Sequence, residues 1–393
     1  MIDVKTARDL VLLHSAKPSE VLEVIIKDAL DFVLAEDVIS KIEMPPYRQS
    51  AMDGYAINGF DDTPYTVVGE IKAGDDDNPN LNIGDAVRIF TGAPVPDTAN
   101  TVIMQEKVIV HGSKIILEES IQPNKNIRPK GEQIKIGDLA LAKGTTIKGA
   151  HVGFLASLGI TKIQVYKKPS IAIVVTGNEL VNPGDVLPYG KVYESNGSML
   201  TAVLSELGYK NTSVVTVEDD YEKTKKALND VIQNYDVVIV TGGVSVGDYD
   251  FVGRALKDIG VEEIFYKVKQ KPGKPLFFGK KDQVSIFGLP GNPAAALSCF
   301  YVYVYPLLKK SEGACNTSFP NVLMPLLTDY TVKGDRAQFL KARMQNDGVE
   351  ILDGQSSAMI RAFGDANALV FLPENTKQVH KGQNVKTILL SVK

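Results

Sequence analysis

The runs at residues 171–175 (Ile-Ala-Ile-Val-Val) and 236–240 (Asp-Val-Val-Ile-Val) constrain this chain more than any other feature. A strand with one wet face alternates apolar and polar residues. A continuous apolar run has no wet face, which is the pattern of a parallel strand covered by helices on both sides. Helical text surrounds these runs. Residues 197–207 place Met199, Leu200, Val203, Leu204 and Leu207 on one face, and 221–234 reads as an amphipathic helix. Further strands are expected at 211–217 and 263–269, and helices at 250–259 and 292–308. Alternating strands and helices predict a central doubly wound α/β domain over residues 169–312.

A chain of 393 residues is too long for one ordinary core. Residues 1–40 read as mostly helical, with Asp3 capping a first helix. The pattern breaks at Met44-Pro45-Pro46-Tyr47, and strand and turn text follows to about residue 145. A helix resumes at 149–159, and short strands with turn signals fill the chain after Gly313. The fold class expected is multidomain α/β plus β. Residues 1–44 with 131–168 would form a helical and extended N-terminal domain, 45–130 an inserted small β domain, 169–312 the α/β domain and 313–393 a C-terminal β domain.

Composition excludes several function classes. A net charge of −4 gives no global basic surface for nucleic acid. Cys299 and Cys315 have no C-x-x-C spacing, and the four histidines are scattered, so a cysteine or histidine metal centre is not expected. The N-terminus lacks the apolar core of a signal peptide. The apolar stretch at 294–308 falls short of the ~20 residues a membrane span needs. The expected location is the cytoplasm.

Open parallel sheets bind ligands at the carboxyl ends of their strands. That rule selects the loops beginning at Thr176, Glu218, Thr241, Lys271 and Gly288. In Thr241-Gly-Gly-Val-Ser-Val-Gly-Asp-Tyr-Asp250, Gly242, Gly243 and Gly247 let backbone N–H groups approach an anion, and Thr241 and Ser245 add hydroxyls. A plain βα turn rarely needs three glycines. Gly243-Val-Ser-Val-Gly247 also fits the nucleophile elbow of serine hydrolases, but the only later histidine is His380, far downstream in the β text. Lys271-Pro-Gly-Lys-Pro275 sets two ammoniums in a stiff loop. A unit charge pair at about 4 Å contributes ~4 kcal/mol at an effective dielectric of about 20, so two lysines would select a dianion. A solvated turn is the alternative for that loop. Glu179, Asp219, Asp248 and Asp250 lie in neighbouring loops, where Asp219 or Asp220 could simply cap a helix. Carboxylates beside a phosphate site repel the ligand unless a cation such as Mg²⁺ intervenes. Together they favour metal-assisted phosphate chemistry.

Five segments taken together carry a resemblance. They are Ser50-Ala-Met-Asp-Gly-Tyr-Ala56, Thr91-Gly-Ala-Pro-Val-Pro96, the loop at 241–250, Lys271-Pro-Gly-Lys-Pro275 and Gly288-Leu-Pro-Gly-Asn-Pro293. In this order they resemble the MoeA family of molybdopterin molybdenumtransferases, to which the C-terminal part of gephyrin is related. The resemblance spans nearly the whole chain. It implies insertion of molybdate-derived metal into adenylylated molybdopterin, with Mg²⁺-dependent cleavage that releases AMP and molybdenum cofactor. It implies a homodimer in which Asp53 and Thr91 of one copy complete the neighbour's site. It also implies, as partner proteins, an upstream molybdopterin adenylyltransferase and recipient apo-molybdoenzymes.

By position, Asp53, Thr91, Glu179, Asp219, Asp250, Lys267 and Lys271 match residues important for activity, and Glu179, Asp219 and Asp250 would serve Mg²⁺. Arg128, Thr241, Gly242, Gly243, Ser245, Gly247, Asp248, Lys274, Pro275, Pro290, Pro293 and Ser357 would bind substrate. The chain departs from the family pattern at Gln133, Asn178, Lys341 and Ala295, where Asp, Asp, Arg and Ser are common. Two other readings stay open at this point: a scaffold homologue that binds molybdopterin without chemistry, and a relative that inserts tungsten.

Overall fold

The computed structural model describes residues 1–18, 20–61, 64–243 and 251–390. The chain divides into two compact units. One comprises Met1–Leu22, Asp31–Val33 and Tyr166–Lys393, the other Glu23–Leu30 and Leu34–Val165.

In the first unit, helix α1 (Val4–Leu13) is started by Asp3, whose carboxylate accepts the Thr6 N–H at 2.9 Å. The central sheet follows. Its elements are β1 (Ile171–Thr176), α2 (Asn196–Glu206), β2 (Thr212–Val217), α3 (Tyr221–Asn234), β3 (Val237–Thr241), α4 (Phe251–Asp258) and β4 (Glu262–Tyr266). A short β5 (Gln270–Lys271) then precedes the hairpin β6 (Phe277–Lys281) and β7 (Val284–Leu289). The strand order is β2-β1-β3-β7-β6-β4. Strands β2, β1, β3 and β7 are parallel, and β6 runs against both of its neighbours.

The apolar runs do what their pattern requires. Ile171, Ile173 and Val175 point into a core shared with α1, α2 and the helix after β7, while Ala172 and Val174 face a second core with α3 and α4. That helix departs from the sequence expectation of one continuous element over 292–308. It runs as α5 (Pro293–Cys299), a π-helical turn at Phe300–Val304 and α6 (Tyr305–Ser311). Pro306 has no N–H to give to the ladder, which accounts for the break.

Two other expectations need correction. The strand expected at 263–269 ends at Tyr266, because Lys267 takes a left-handed φ of 70° that a strand cannot continue through. The first 40 residues are not mostly helical: among the described residues only α1 and a single 3-10 turn at Ile26–Asp28 are, and Val21–Ile25 is a strand. Pro18 and the β-branched residues Val21, Val24 and Ile25 disfavour helix over the strand.

The C-terminal part of this unit is a second sheet. Its strands are β8 (Asn321–Pro325), β9 (Ala337–Gln345), β10 (Gly348–Ile351), β11 (Ala368–Leu372) and β12 (Asn384–Leu389), ordered β5-β9-β11-β12-β8 with β10 on β9. Strand β5 joins it in parallel, pairing Gln270 with Ala337 and Lys271 with Gln338. One short helix, Arg361–Gly364, interrupts what the sequence suggested was strand and turn alone.

The second unit is built on a six-stranded sheet that runs Thr101–Met104, Gly54–Asn58, Asp85–Ile89, Tyr65–Ile71, Lys114–Leu117, Val108–His111. No helix among the described residues is long and apolar enough to cross a membrane.

Candidate active site at the carboxyl edge of the sheet

Strands β1, β3 and β7 finish at one edge, where Val175 pairs with Thr241 and Thr241 with Leu289. The chain leaves β1 toward β2 on one side, while β3 and β7 lie on the other. That reversal of strand order opens a crevice.

The first cleft, of about 660 Å³, fills it. Its described lining includes Thr176 and Glu179 after β1, Glu194 and Asn196 at the start of α2, Thr241, Gly242 and Gly243 after β3, and Pro290 and Pro293 after β7. No lysine or arginine is among these residues. The floor is polar: the Thr176 and Thr241 hydroxyls and Asn196 Oδ1 are buried, and none has a hydrogen-bond partner among the described residues. Burying such atoms unpaired is costly, so they mark a place built for water or ligand. Gly242 has φ of 86°, and a Cβ there would lie 2.3 Å from the Thr176 carbonyl oxygen. Only glycine lets the backbone close over that floor.

The second cleft, of about 670 Å³, lies between the lysine loop and the C-terminal sheet. Lys271, Lys274, Lys333 and Arg336 line it, with Gln355, Ser356 and Ser357, and none of its described lining residues is acidic. Neither Lys271 nor Lys274 has an ion-pair partner among the described residues. Their charge is therefore available to an anion.

The loop that carries these lysines rests on a neutral foundation. Buried Gln270 donates to the Gly273 carbonyl at 3.1 Å and accepts from the Tyr303 hydroxyl, while Arg336 donates to the Gln270 carbonyl at 3.1 Å. Burial pushes the neighbouring Cys299 thiol up to about 12, against the opposing hydrogen bond from Gln270, so it stays protonated. Burial likewise raises Tyr303 well above the usual phenol value.

The two clefts share Pro275, Pro290 and Asn292. Ser357 is tied to this junction: Asn292 Nδ2 donates to its hydroxyl at 3.1 Å, and the Ala295 N–H donates to its carbonyl at 3.2 Å.

Several residues singled out in the sequence thus converge here: Thr241, Gly242, Gly243, Glu179 and Pro293 on the first cleft, Lys271, Lys274 and Ser357 on the second, Pro275 and Pro290 on both. Others do not. Asp219 ties its loop to the one after β1, its Oδ2 accepting the Asn178 N–H at 3.0 Å while Asn178 Oδ1 accepts the Asp219 N–H at 3.1 Å. An aspartate at 178 could accept in the same way, so the amide keeps this contact. Lys267 places its ammonium 4.8 Å from the Tyr266 ring centroid and lines neither cleft. Ser245, Gly247, Asp248 and Asp250 lie outside the described residues. Among the described residues no three acidic, histidine or cysteine groups cluster as a metal site made by protein groups alone would require.

In the second unit, Asp53 Oδ1 accepts from the Thr91 N–H at 2.7 Å and the Thr91 hydroxyl at 2.8 Å. These bonds, backbone first, hold the Asp53 carboxyl below its ordinary value. Arg128 pairs with Glu132 at 2.9 Å. The structure also adds residues that sequence reasoning passed over, Asn196, Lys333 and Arg336, and puts Thr176, there only the start of a selected loop, on the cleft floor. Lys333 and Arg336 stand in a Lys-Gly-Asp-Arg turn whose placement beside the lysine loop depends on β5 pairing with β9.

Three family models account for most of the chain. The MoeA N-terminal region (domain I and II) matches residues 2–159, a probable molybdopterin binding domain matches 172–310, and the MoeA C-terminal region (domain IV) matches 324–390. The chain belongs to the MoeA family. This MoeA chain is 32% identical to a molybdopterin molybdenumtransferase of Staphylococcus aureus (strain Mu50) over 99% of its own length and 95% of that protein's. It is also 32% identical to a protein of the same name from Staphylococcus epidermidis (strain RP62A), over 92% of this chain and 89% of the relative. The crystal structure of a molybdopterin biosynthesis moeA protein from Pyrococcus horikoshii OT3 superposes with a TM-score of 0.87 at 29% identity, covering 99% of this chain and 100% of that one.

Proposed function

We propose that this MoeA-family chain is a molybdopterin molybdenumtransferase of molybdenum cofactor biosynthesis, which takes adenylylated molybdopterin and molybdate and releases AMP and molybdenum cofactor. One observation carries the reading. A cleft whose charged lining is entirely cationic meets a hydroxyl-floored cleft at a shared wall of Pro275, Pro290 and Asn292.

The cationic cleft suits a tetrahedral dianion. Lys271 and Lys274 would hold it by charge, with Ser357 at the junction beside Asn292. The first cleft suits the phosphate and pterin end of the organic substrate, with Gly242 and Gly243 allowing close backbone approach over a floor that includes Thr176 and Thr241. A dithiolene held there would face the dianion across the shared wall, so binding alone brings the two reactants together.

Mg²⁺ fits this arrangement. The described lining of the first cleft has carboxylates and no cation; one oxygen of Glu194 accepts the Gly197 N–H at 2.7 Å, and Glu179 would hold the ion together with substrate phosphate oxygens. The ion would offset phosphate charge as AMP leaves. Asp53, kept ionised by Thr91, would complete the site of a second copy in a homodimer.

The test is direct. Purified protein given adenylylated molybdopterin, molybdate and Mg²⁺ should release AMP in a molybdate-dependent manner, and folded protein that releases none would sink the reading. Molybdate and tungstate share charge and shape, so running the assay with each measures the metal preference.

A further inference from the structure

Lys341 is a lysine in an unusual place. It lies on β9, paired with Leu369 of β11, and is only 3% exposed. Lysines are almost never buried this deeply without a carboxylate partner. Here the ammonium donates instead to three backbone carbonyls: Gly354 at 2.5 Å, Ser356 at 3.1 Å and Met359 at 3.1 Å. The Phe363 ring centroid lies 5.8 Å away. The backbone of the same residue is gripped as well. Its N–H donates to Gln355 Oε1 at 3.0 Å, and its carbonyl accepts from Gln355 Nε2 at 2.8 Å.

An ammonium has three N–H donors and no more. With three carbonyls in place, none is left for an anion. Lys341 accordingly does not line the cationic cleft, although Gln355 and Ser356, which it holds, and the adjoining Ser357 all do. The far side of that loop reaches Asn292 and Ala295 through Ser357. Burial lowers the pKa of this lysine, so the carbonyl cage is what keeps its charge in place.

We propose that Lys341 is a positioning residue of the oxyanion cleft, holding the loop at 354–359 so that Ser357 is fixed against Asn292 and the first turn of α5. The proposal rests on the functional reading above only for the identity of the anion.

Two measurements test it on the full-length protein. In Lys341→Met, which keeps an unbranched chain one atom shorter and loses all three donors, hydrogen exchange at the amides of residues 354–360 should become at least about tenfold faster, while β1 and β3 keep their protection. Molybdate affinity, followed by calorimetric titration, should fall by about tenfold or more in Lys341→Met. The double variant with Ser357→Ala should then bind no more weakly than Lys341→Met alone, because both changes undo one arrangement. Lys341→Gln, which keeps two donors, should fall between and serves if the apolar variant does not fold.

Unchanged exchange across 354–360 overturns the proposal whatever the ligand. Additive losses in the double variant overturn it too, since they would place Lys341 on the ion itself. A wild-type protein that binds no molybdate defeats the functional reading instead, and the exchange comparison alone then decides the role of Lys341.

Discussion

Gly242 shows how narrowly one residue can be specified. Its φ of 86° and the 2.3 Å between a notional Cβ and the Thr176 carbonyl oxygen leave no relaxed geometry for alanine. The left-handed backbone alone costs about 1–2 kcal/mol for a residue with a Cβ. Gly242→Ala should therefore lower the melting temperature and abolish molybdate-dependent AMP release; a variant with native melting and turnover would refute the close approach. The cysteines give a second residue-scale expectation. Cys299 is buried with its thiol near 12, whereas Cys315 is exposed. A thiol reagent at pH 8 should modify one cysteine in native protein and two after denaturation. Asp53 gives a third. Thr91→Val removes one of two bonds to the carboxylate, so the Asp53 pKa should rise toward its ordinary value. If the ionised form is needed, the acid limb of the AMP-release profile moves to higher pH in the variant, and an unmoved limb would remove that ionisation from the reaction. The glycines and lysines at this scale were legible because their spacing is local. Asn196 was not, since what marks it is an unpaired buried oxygen, a property of packing alone.

Elements reveal what periodicity can and cannot carry. The strands at 171–176 and 237–241 were plain in the sequence, because burial on both faces leaves no polar position to blur the pattern. The break at Lys267 was not, because a lysine with left-handed φ looks like any lysine. Nor was the pairing of β5 with β9, which spans some seventy residues and brings Lys333 and Arg336 to the lysine loop. That loop is itself testable. Gly273 has φ of 81°, and a Cβ there would meet Cys299 Sγ at 2.3 Å. Gly273→Ala should shift Lys271 and Lys274 together, raising the KM for molybdate about tenfold or more while the affinity for adenylylated molybdopterin changes by less than about twofold. Equal losses for both substrates would show that the two clefts are not independent.

At the scale of the whole molecule, the proposed homodimer makes a quantitative prediction. Asp53→Asn and Lys271→Ala chains should each be inactive. If every site takes Asp53 from one copy and Lys271 from the other, random pairing of the two variants makes half the dimers mixed, each with one intact site of two. Activity should recover to about a quarter of wild type. No recovery would place both residues in the same chain's site. The order of β and α/β text along the chain was readable in advance because each region keeps its own hydrophobic period. The division into units was less so, since residues 31–33 and 166 onward share one body while 34–165 form another. The shared wall between the clefts has a kinetic meaning as well. Pro275 and Pro290 carry no N–H and Asn292 gives an Nδ2 hydrogen to Ser357, so on the proposed reading the stretch between an ion's reservoir and its destination offers few donors on which it could linger. Passage across such a doorstep is set by the pull at its two ends, and an ion displaced from the lysines would be handed on rather than trapped midway.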